Sequence, residues 1–136
     1  MSVQKQRISR VVLVGHCVPD SAILQHAIHR SLGTIPVERV NAAAGLAGAA
    51  NPESLWLVNR VLDGDFASEG GVELIRQTAA GPNAPLLMLV SNFADAQAAA
   101  VAAGALPGFG KKAVGAAATT QLLQHAATGD AAAPDA

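Results

Sequence analysis

Short aliphatic runs, each closed by Gly or a polar residue, alternate along the chain with segments whose apolar residues recur at helical spacing. Val11-Val12-Leu13-Val14, ended by Gly15, has the unbroken apolar character of a strand buried on both faces of a parallel sheet. Pro19-Asp20-Ser21 then supplies helix-start chemistry, and Ile23, Leu24, Ala27, Ile28 and Leu32 follow up to Gly33, which predicts a helix over about residues 21–32. A second strand is expected at Val37–Val40, and the Ala- and Gly-rich stretch 41–51 reads as a weak helix or a loop. Residues 55–58 form the third strand, and a long polar loop, 59–70, separates it from a helix beginning over 72–78. Val72, Leu74 and Ile75 are expected to face inward there, with Gly81-Pro82 as the breaker. Leu86–Val90 is a fourth buried strand, 95–103 an Ala-rich helix ended by Gly104, 107–112 a minimal fifth strand, and 119–127 a last helix carrying Leu122 and Leu123. The tail from Thr128 is Ala, Gly, Pro and Asp, a composition that predicts disorder.

Strands alternating with helices argue for an α/β domain, a parallel sheet covered on both faces, because right-handed crossovers place helices there. In such sheets the ligand site lies beyond the carboxyl ends of the strands. Those ends are Gly15-His16-Cys17, Asn59-Arg60, Val90-Ser91-Asn92 and Lys111-Lys112. The constellation is polar and holds almost no carboxylate.

Composition narrows the picture. At 136 residues the chain suits one domain. Three Phe, one Trp and no Tyr leave the core to aliphatic side chains. A net charge of −1 with scattered Lys and Arg lacks the footprint of a nucleic-acid binder. Cys17 stands alone, which excludes an internal disulfide framework and fits a reducing compartment. No apolar run approaches the roughly 20 residues of a spanning helix, and the start of the chain is too polar for a signal peptide, so a cytoplasmic protein without membrane contact is expected.

Three segments carry a resemblance. "GGVELIRQ" from Gly70 to Gln77, "LLMLVSN" from Leu86 to Asn92 and "AAAVAAGA" from Ala98 to Ala105 resemble the third-helix start, the fourth strand, and the fourth helix with its turn, in the receiver domain of bacterial two-component response regulators. The resemblance covers roughly residues 8–127 and implies a CheY-like, flavodoxin-like three-layer sandwich with a five-stranded parallel sheet in the order 2-1-3-4-5. In that family the first strand ends in a magnesium-binding acidic pair, the third in the phosphoacceptor Asp, the fourth in Ser or Thr and the fifth in Lys. Carried over by position, the acidic pair falls on Gly15 and His16, the phosphoacceptor on Asn59, the hydroxyl on Ser91 and the lysine on Lys111 or Lys112. Only the last two match in chemistry. Hard divalent cations want carboxylate ligands, so the nucleophile and its metal site are both missing, and the resemblance implies a degenerate pseudo-receiver. The register of the lysine decides whether Phe109 or Gly108 takes the place of the family's switching aromatic.

Other candidates are weaker. Asp63, Asp65 and Glu69 lie in the loop after Asn59, where a solvated loop is the expected reading and a reach back over the pocket the alternative. His16 and Cys17 are adjacent but lack further soft ligands, and His26 and His29, three apart on the first helix, read as surface histidines. Asn59 either freezes a fixed signalling state or hydrogen-bonds its neighbouring loops as a neutral amide. Arg60 is placed to bind Asp63, Asp65 or an external anion. Lys111 and Lys112 follow Pro107-Gly108-Phe109-Gly110, a stretch whose glycines allow close backbone approach to a ligand, although no phosphate-loop motif is present.

Two function classes follow. One is a phosphorylation-independent protein-interaction module in bacterial signalling, neither enzyme nor cofactor protein, which binds a protein partner or a second copy. The resemblance implies the fourth-helix face for this role, with Gln97, Val101, Phe109 and Leu122. The other is a small-molecule binder or minor enzyme that uses His16, Cys17, Asn59, Ser91 and Lys111 around the crevice.

Overall fold

The computed structural model describes residues 7–66 and 70–128. Five strands, β1 (Arg10–Val14), β2 (Val37–Val40), β3 (Ser54–Asn59), β4 (Leu86–Val90) and β5 (Leu106–Phe109), form one parallel sheet in the order β2-β1-β3-β4-β5. This is the flavodoxin-like arrangement. Between them run α1 (Val18–Leu32), α2 (Leu46–Ala49, entered through a short 3₁₀ turn), α3 (Gly71–Ala79), α4 (Ala94–Ala102) and α5 (Ala117–Thr128).

Period-two alternation explains the three layers. Val11 and Leu13 of β1 and Leu55 and Leu57 of β3 point to one face, where Leu24 and Ile28 of α1 and Leu123 of α5 cover them. Val12, Val14, Trp56 and Val58 point to the other, against Ala49, Ile75 and Ala100. Both faces being apolar, β1 and β3 read as continuous hydrophobic runs, and Trp56 keeps its one polar atom satisfied by donating to the Ala49 carbonyl at 3.3 Å.

Element boundaries differ from expectation where local chemistry overrides pattern. Helix α1 starts at Val18, ahead of the expected Ser21, because Pro19 sits in the first turn, where its missing N–H costs nothing. Its inward stripe is Ser21, Leu24, Ala27, Ile28 and Ser31, so Ile23 is 54% exposed and not part of the core. Thr128 ends α5 and is not tail, while the expected disorder from 129 onward lies outside the described residues.

Strand β5 is short and bulged. Met88 pairs with Leu106 and Val90 with Phe109, so three residues on β5 span two on β4. The side chain of Gln97, from α4, enters the gap. Its amide N–H group faces the carbonyls of Leu89 (2.9 Å), Ser91 (3.1 Å) and Phe109 (3.3 Å), and its carbonyl accepts from Gly108 N–H at 3.2 Å. The interrupted ladder is thus completed by a side chain.

Candidate functional site

The carboxyl ends of the strands build two adjoining corners. At the first, where β1, β2 and β3 end, the carbonyls of Gly15 and His16 turn away from the sheet and need donors. Asn59 Nδ2 donates to Gly15 O at 2.9 Å, and Asp63 N–H donates to the same oxygen at 2.9 Å. Asn41 Nδ2 bonds His16 O (2.9 Å) and Asp63 O (2.7 Å), and Arg39 reaches His16 O at 3.0 Å while its Nε donates to Ser21 Oγ at 2.9 Å. Gly15 has φ +76°, and a Cβ there would collide with Leu62, so this crossing of chains requires glycine.

His16 lies wholly beneath this network. Its Nε2 is 2.8 Å from the Leu57 carbonyl, which can only accept, so Nε2 carries the proton. Nδ1 is buried with no partner among the described residues. Burial pushes the imidazole pKa from 6.5 down to about 4, with the Leu57 bond opposing it and the Lys111 charge adding to it, and the ring is neutral near neutrality.

The second corner, between the ends of β3, β4 and β5, is open. A cleft of about 160 Å³ is lined by Asn59, Arg60, Ser91, Asn92, Phe93 and Lys111, with Val61 on its rim. Ser91 Oγ accepts from Phe93 N–H at 3.1 Å. The guanidinium of Arg60 stacks on the Phe93 ring, 4.8 Å from its centroid. Lys111 Nζ pairs with Asp20 at 2.6 Å, and the ammonium beside it holds the Asp20 carboxyl below its ordinary pKa.

The structure therefore brings together Asn59, Arg60, Ser91 and Lys111, and not Lys112, which turns outward with its backbone N–H bonded to Asn92 Oδ1 at 3.1 Å. Several expectations need correction. Gln97 is half-buried with its amide engaged in the β5 ladder, and Phe109 is 5% exposed in the core beside Val90. Leu122 is half-buried against the same core, which leaves Val101, 45% exposed, as the apolar residue on the outer face of α4. The close backbone approach expected at Gly108 and Gly110 is taken by the chain itself. A Cβ on Gly108 would strike Leu89 O, and one on Gly110 would strike Asn92 Oδ1. Asp63 and Asp65 are exposed, and their loop is pinned by backbone bonds to Gly15 and Asn41 rather than by carboxylates over the cleft. Glu69 lies outside the described residues. His26 and His29 are exposed on α1, with His29 Nε2 3.1 Å from Ile35 O.

Asp20, Phe93 and Val61 were missed by sequence reasoning. Asp20 looks like helix-start chemistry, and its second role as the partner of Lys111 comes from α1 opening three residues early over the end of β5. Its signal was its position, an acid a few residues beyond the end of β1.

A divalent cation does not fit this donor set. Gly15 O is saturated by two N–H donors, His16 is buried, Asn59 presents an amide, and Arg60 and Lys111 bring positive charge. Among the described residues no three His, Cys, Asp or Glu side chains group closely enough to hold a metal ion, and no helix is long and apolar enough to cross a membrane.

The fold is that of response regulator receiver domains. The structure matches the signal receiver domain of a DNA-binding response regulator protein from Colwellia psychrerythraea 34H with a TM-score of 0.64 at 14% identity, covering 87% of this chain and 96% of that one. A response regulator receiver domain from Rhodospirillum rubrum matches at 0.59 and 10% identity, over 86% and 90% of the two chains. The phosphorylated cyanobacterial phytochrome response regulator RcpA matches at 0.55 and 17%, over 88% and 89%. No family model and no curated protein matches the chain.

Proposed function

We propose that this receiver-fold chain is a pseudo-receiver that acts in bacterial signalling by binding a protein partner, with no phosphoryl transfer. The observation that carries the reading is Asn59. At the end of β3, where receiver domains hold the phosphoacceptor carboxylate, its amide is spent on the Gly15 carbonyl. A carboxylate accepts and a carboxamide donates, so the residue that would take up a phosphoryl group instead ties β3 to the β1–α1 junction. The surroundings support this. Ser91 ends β4 as the family's hydroxyl does, and taking Lys111, the lysine that lines the cleft, as the family's lysine would put Gly108 at the place of the switching aromatic. No aromatic is then left to follow the state of Ser91, whose oxygen already accepts from Phe93 N–H.

The alternative of a small-molecule enzyme finds less support. His16 is buried and its reactive nitrogen faces no cleft, while Cys17 caps α1 outside the cleft lining. Incubation with acetyl phosphate and magnesium followed by intact-mass measurement tests the reading. The mass is expected to remain unchanged, and a stable, residue-specific phosphoryl adduct would refute it.

A further inference from the structure

We infer that the cleft between the ends of β3, β4 and β5 is a metal-independent receptor for an oxyanion carried on an apolar body, and that its occupant is an acidic side chain of a partner protein. The inference rests on the reading of this cleft as one that no phosphoryl group enters covalently, and it names what enters instead.

Charge is the first ground. Among the described residues lining this cleft none is a carboxylate, whereas Arg60 and Lys111 are both cations. Asp20 offsets Lys111 from the side. Arg60 has no ion pair among the described residues; its guanidinium rests on the Phe93 ring, which orients the fork without neutralising it. A cleft of net positive charge excludes a divalent cation and admits an anion.

Hydrogen-bonding capacity is the second. Ser91 Oγ is engaged only as an acceptor from Phe93 N–H, so its own proton is left to donate. Asn59 gives Gly15 one of its two amide hydrogens and keeps the other. Donors without matching acceptors, next to two cations, describe the surroundings of a carboxylate or phosphate.

Size and rim decide the kind of ligand. Sites for cofactors and drug-sized molecules run to roughly 300–1,000 Å³. At about 160 Å³ this cleft is too small for them and has room for one carboxylate-bearing side chain or an inorganic oxyanion. Val61 and Phe93 on its edge are 61% and 58% exposed, an apolar pair that a bare inorganic ion would leave wet. A partner that inserts Asp or Glu with apolar flanks would cover both, pairing a desolvated charge with an apolar surround.

The test is a titration of the ¹⁵N-labelled full chain in chelator, followed by amide shifts, with acetate, 3-phenylpropionate and orthophosphate as probes. Saturable shifts are expected at Arg60, Val61, Ser91, Asn92, Phe93 and Lys111. The phenylpropionate should half-saturate at about tenfold lower concentration than acetate, because its ring covers the rim. Arg60→Gln, whose dispersed spectrum reports that it is folded, should weaken phenylpropionate by about tenfold or more, the loss of one charge-assisted contact. Orthophosphate binding more tightly than phenylpropionate would overturn the acidic-side-chain assignment in favour of free phosphate. Shifts centred elsewhere, shifts unchanged in Arg60→Gln, or, in a parallel titration without chelator, a cleft that responds to magnesium and not to anions would overturn the receptor itself. A phosphoryl adduct from acetyl phosphate would instead refute the phosphorylation-independent reading, so the two failures are separable.

Discussion

At the β1–β2–β3 corner the side-chain donors near the strand ends go to backbone carbonyls: Asn59 to Gly15, Asn41 to His16 and Asp63, Arg39 to His16. At the adjoining β3–β4–β5 corner, Arg60, Ser91 and Lys111 line an open cleft. The two corners use similar residues, amides and cations, and differ in what faces them. Parallel strands end in outward carbonyls, which want donors. A carboxylate at the first corner would need a cation to sit between it and those carbonyls, whereas Asn and Arg supply the donors directly and close the corner. The second corner faces no unsatisfied carbonyl, because the bulge of β5 is completed from behind by Gln97. Its donors remain available to a ligand. Amides and a guanidinium therefore close the first corner, while Arg60 and Lys111 leave the second cationic and open.

The largest effect that would break this contrast lies in His16 under the closed corner. Its folded pKa of about 4 is below the unfolded 6.5, so the unfolded chain binds more protons in that window. Stability is full above pH 6.5, falls by about 1.4 kcal/mol per pH unit on the way down, and levels off below about 4 after a loss of about 3 kcal/mol. Asp20 has its folded pKa lowered by Lys111, so its contribution is present above its ordinary range near 3.8 and is lost below that, in a separate window. Urea unfolding across the upper window should show the slope in the wild type and lose it in His16→Gln, whose amide still donates to Leu57 but does not titrate. A slope that survives in His16→Gln would place the acid sensitivity outside this corner.

Most of the fold was legible in the sequence, because β1, β3 and β4 are buried on both faces and so appear as unbroken apolar runs. The helices were legible to within a turn. Less of the site was, since its character depends on the direction in which side chains point. The chemistry of Asn59 could be read from one residue, but its choice of Gly15 over the cleft could not. Gln97 lies on an Ala-rich helix and reads as solvent-facing, and nothing local shows the bulge that draws it inward. Phe109 and Lys111 were tied to an undecided register for the same reason, as β5 has only four residues and two of them are Pro107 and Gly108. Asp20 was hidden behind its helix-start role.

Asn59→Asp comes next in expected size and tests whether amide donation is what closes the first corner. The substitution puts a carboxylate at the end of β3, but it removes the N–H that Gly15 accepts and sets a charge against that carbonyl. A cost of about 2 kcal/mol in urea unfolding is expected, as the Gly15 carbonyl loses one of its two donors and faces a buried carboxylate. Acetyl phosphate with magnesium should still leave the mass of this variant unchanged, because β1 offers the ion no carboxylate. Wild-type stability in Asn59→Asp would mean that the corner is held by the backbone bond from Asp63 alone.

Arg60→Ala is the smallest perturbation and addresses the open corner. Arg60 is exposed and its contact with Phe93 is at the surface, so a stability change within about 0.5 kcal/mol is expected. The acid slope set by His16 should also be untouched, because no bond of the closed corner involves the guanidinium. Removing one cation should nevertheless abolish most of the anion response of the cleft. Matching urea midpoints and acid slopes in the variant and the wild type would establish that Arg60 serves the open cleft without supporting the closed corner. A shifted slope would mean that the charge of Arg60, as well as that of Lys111, reaches His16.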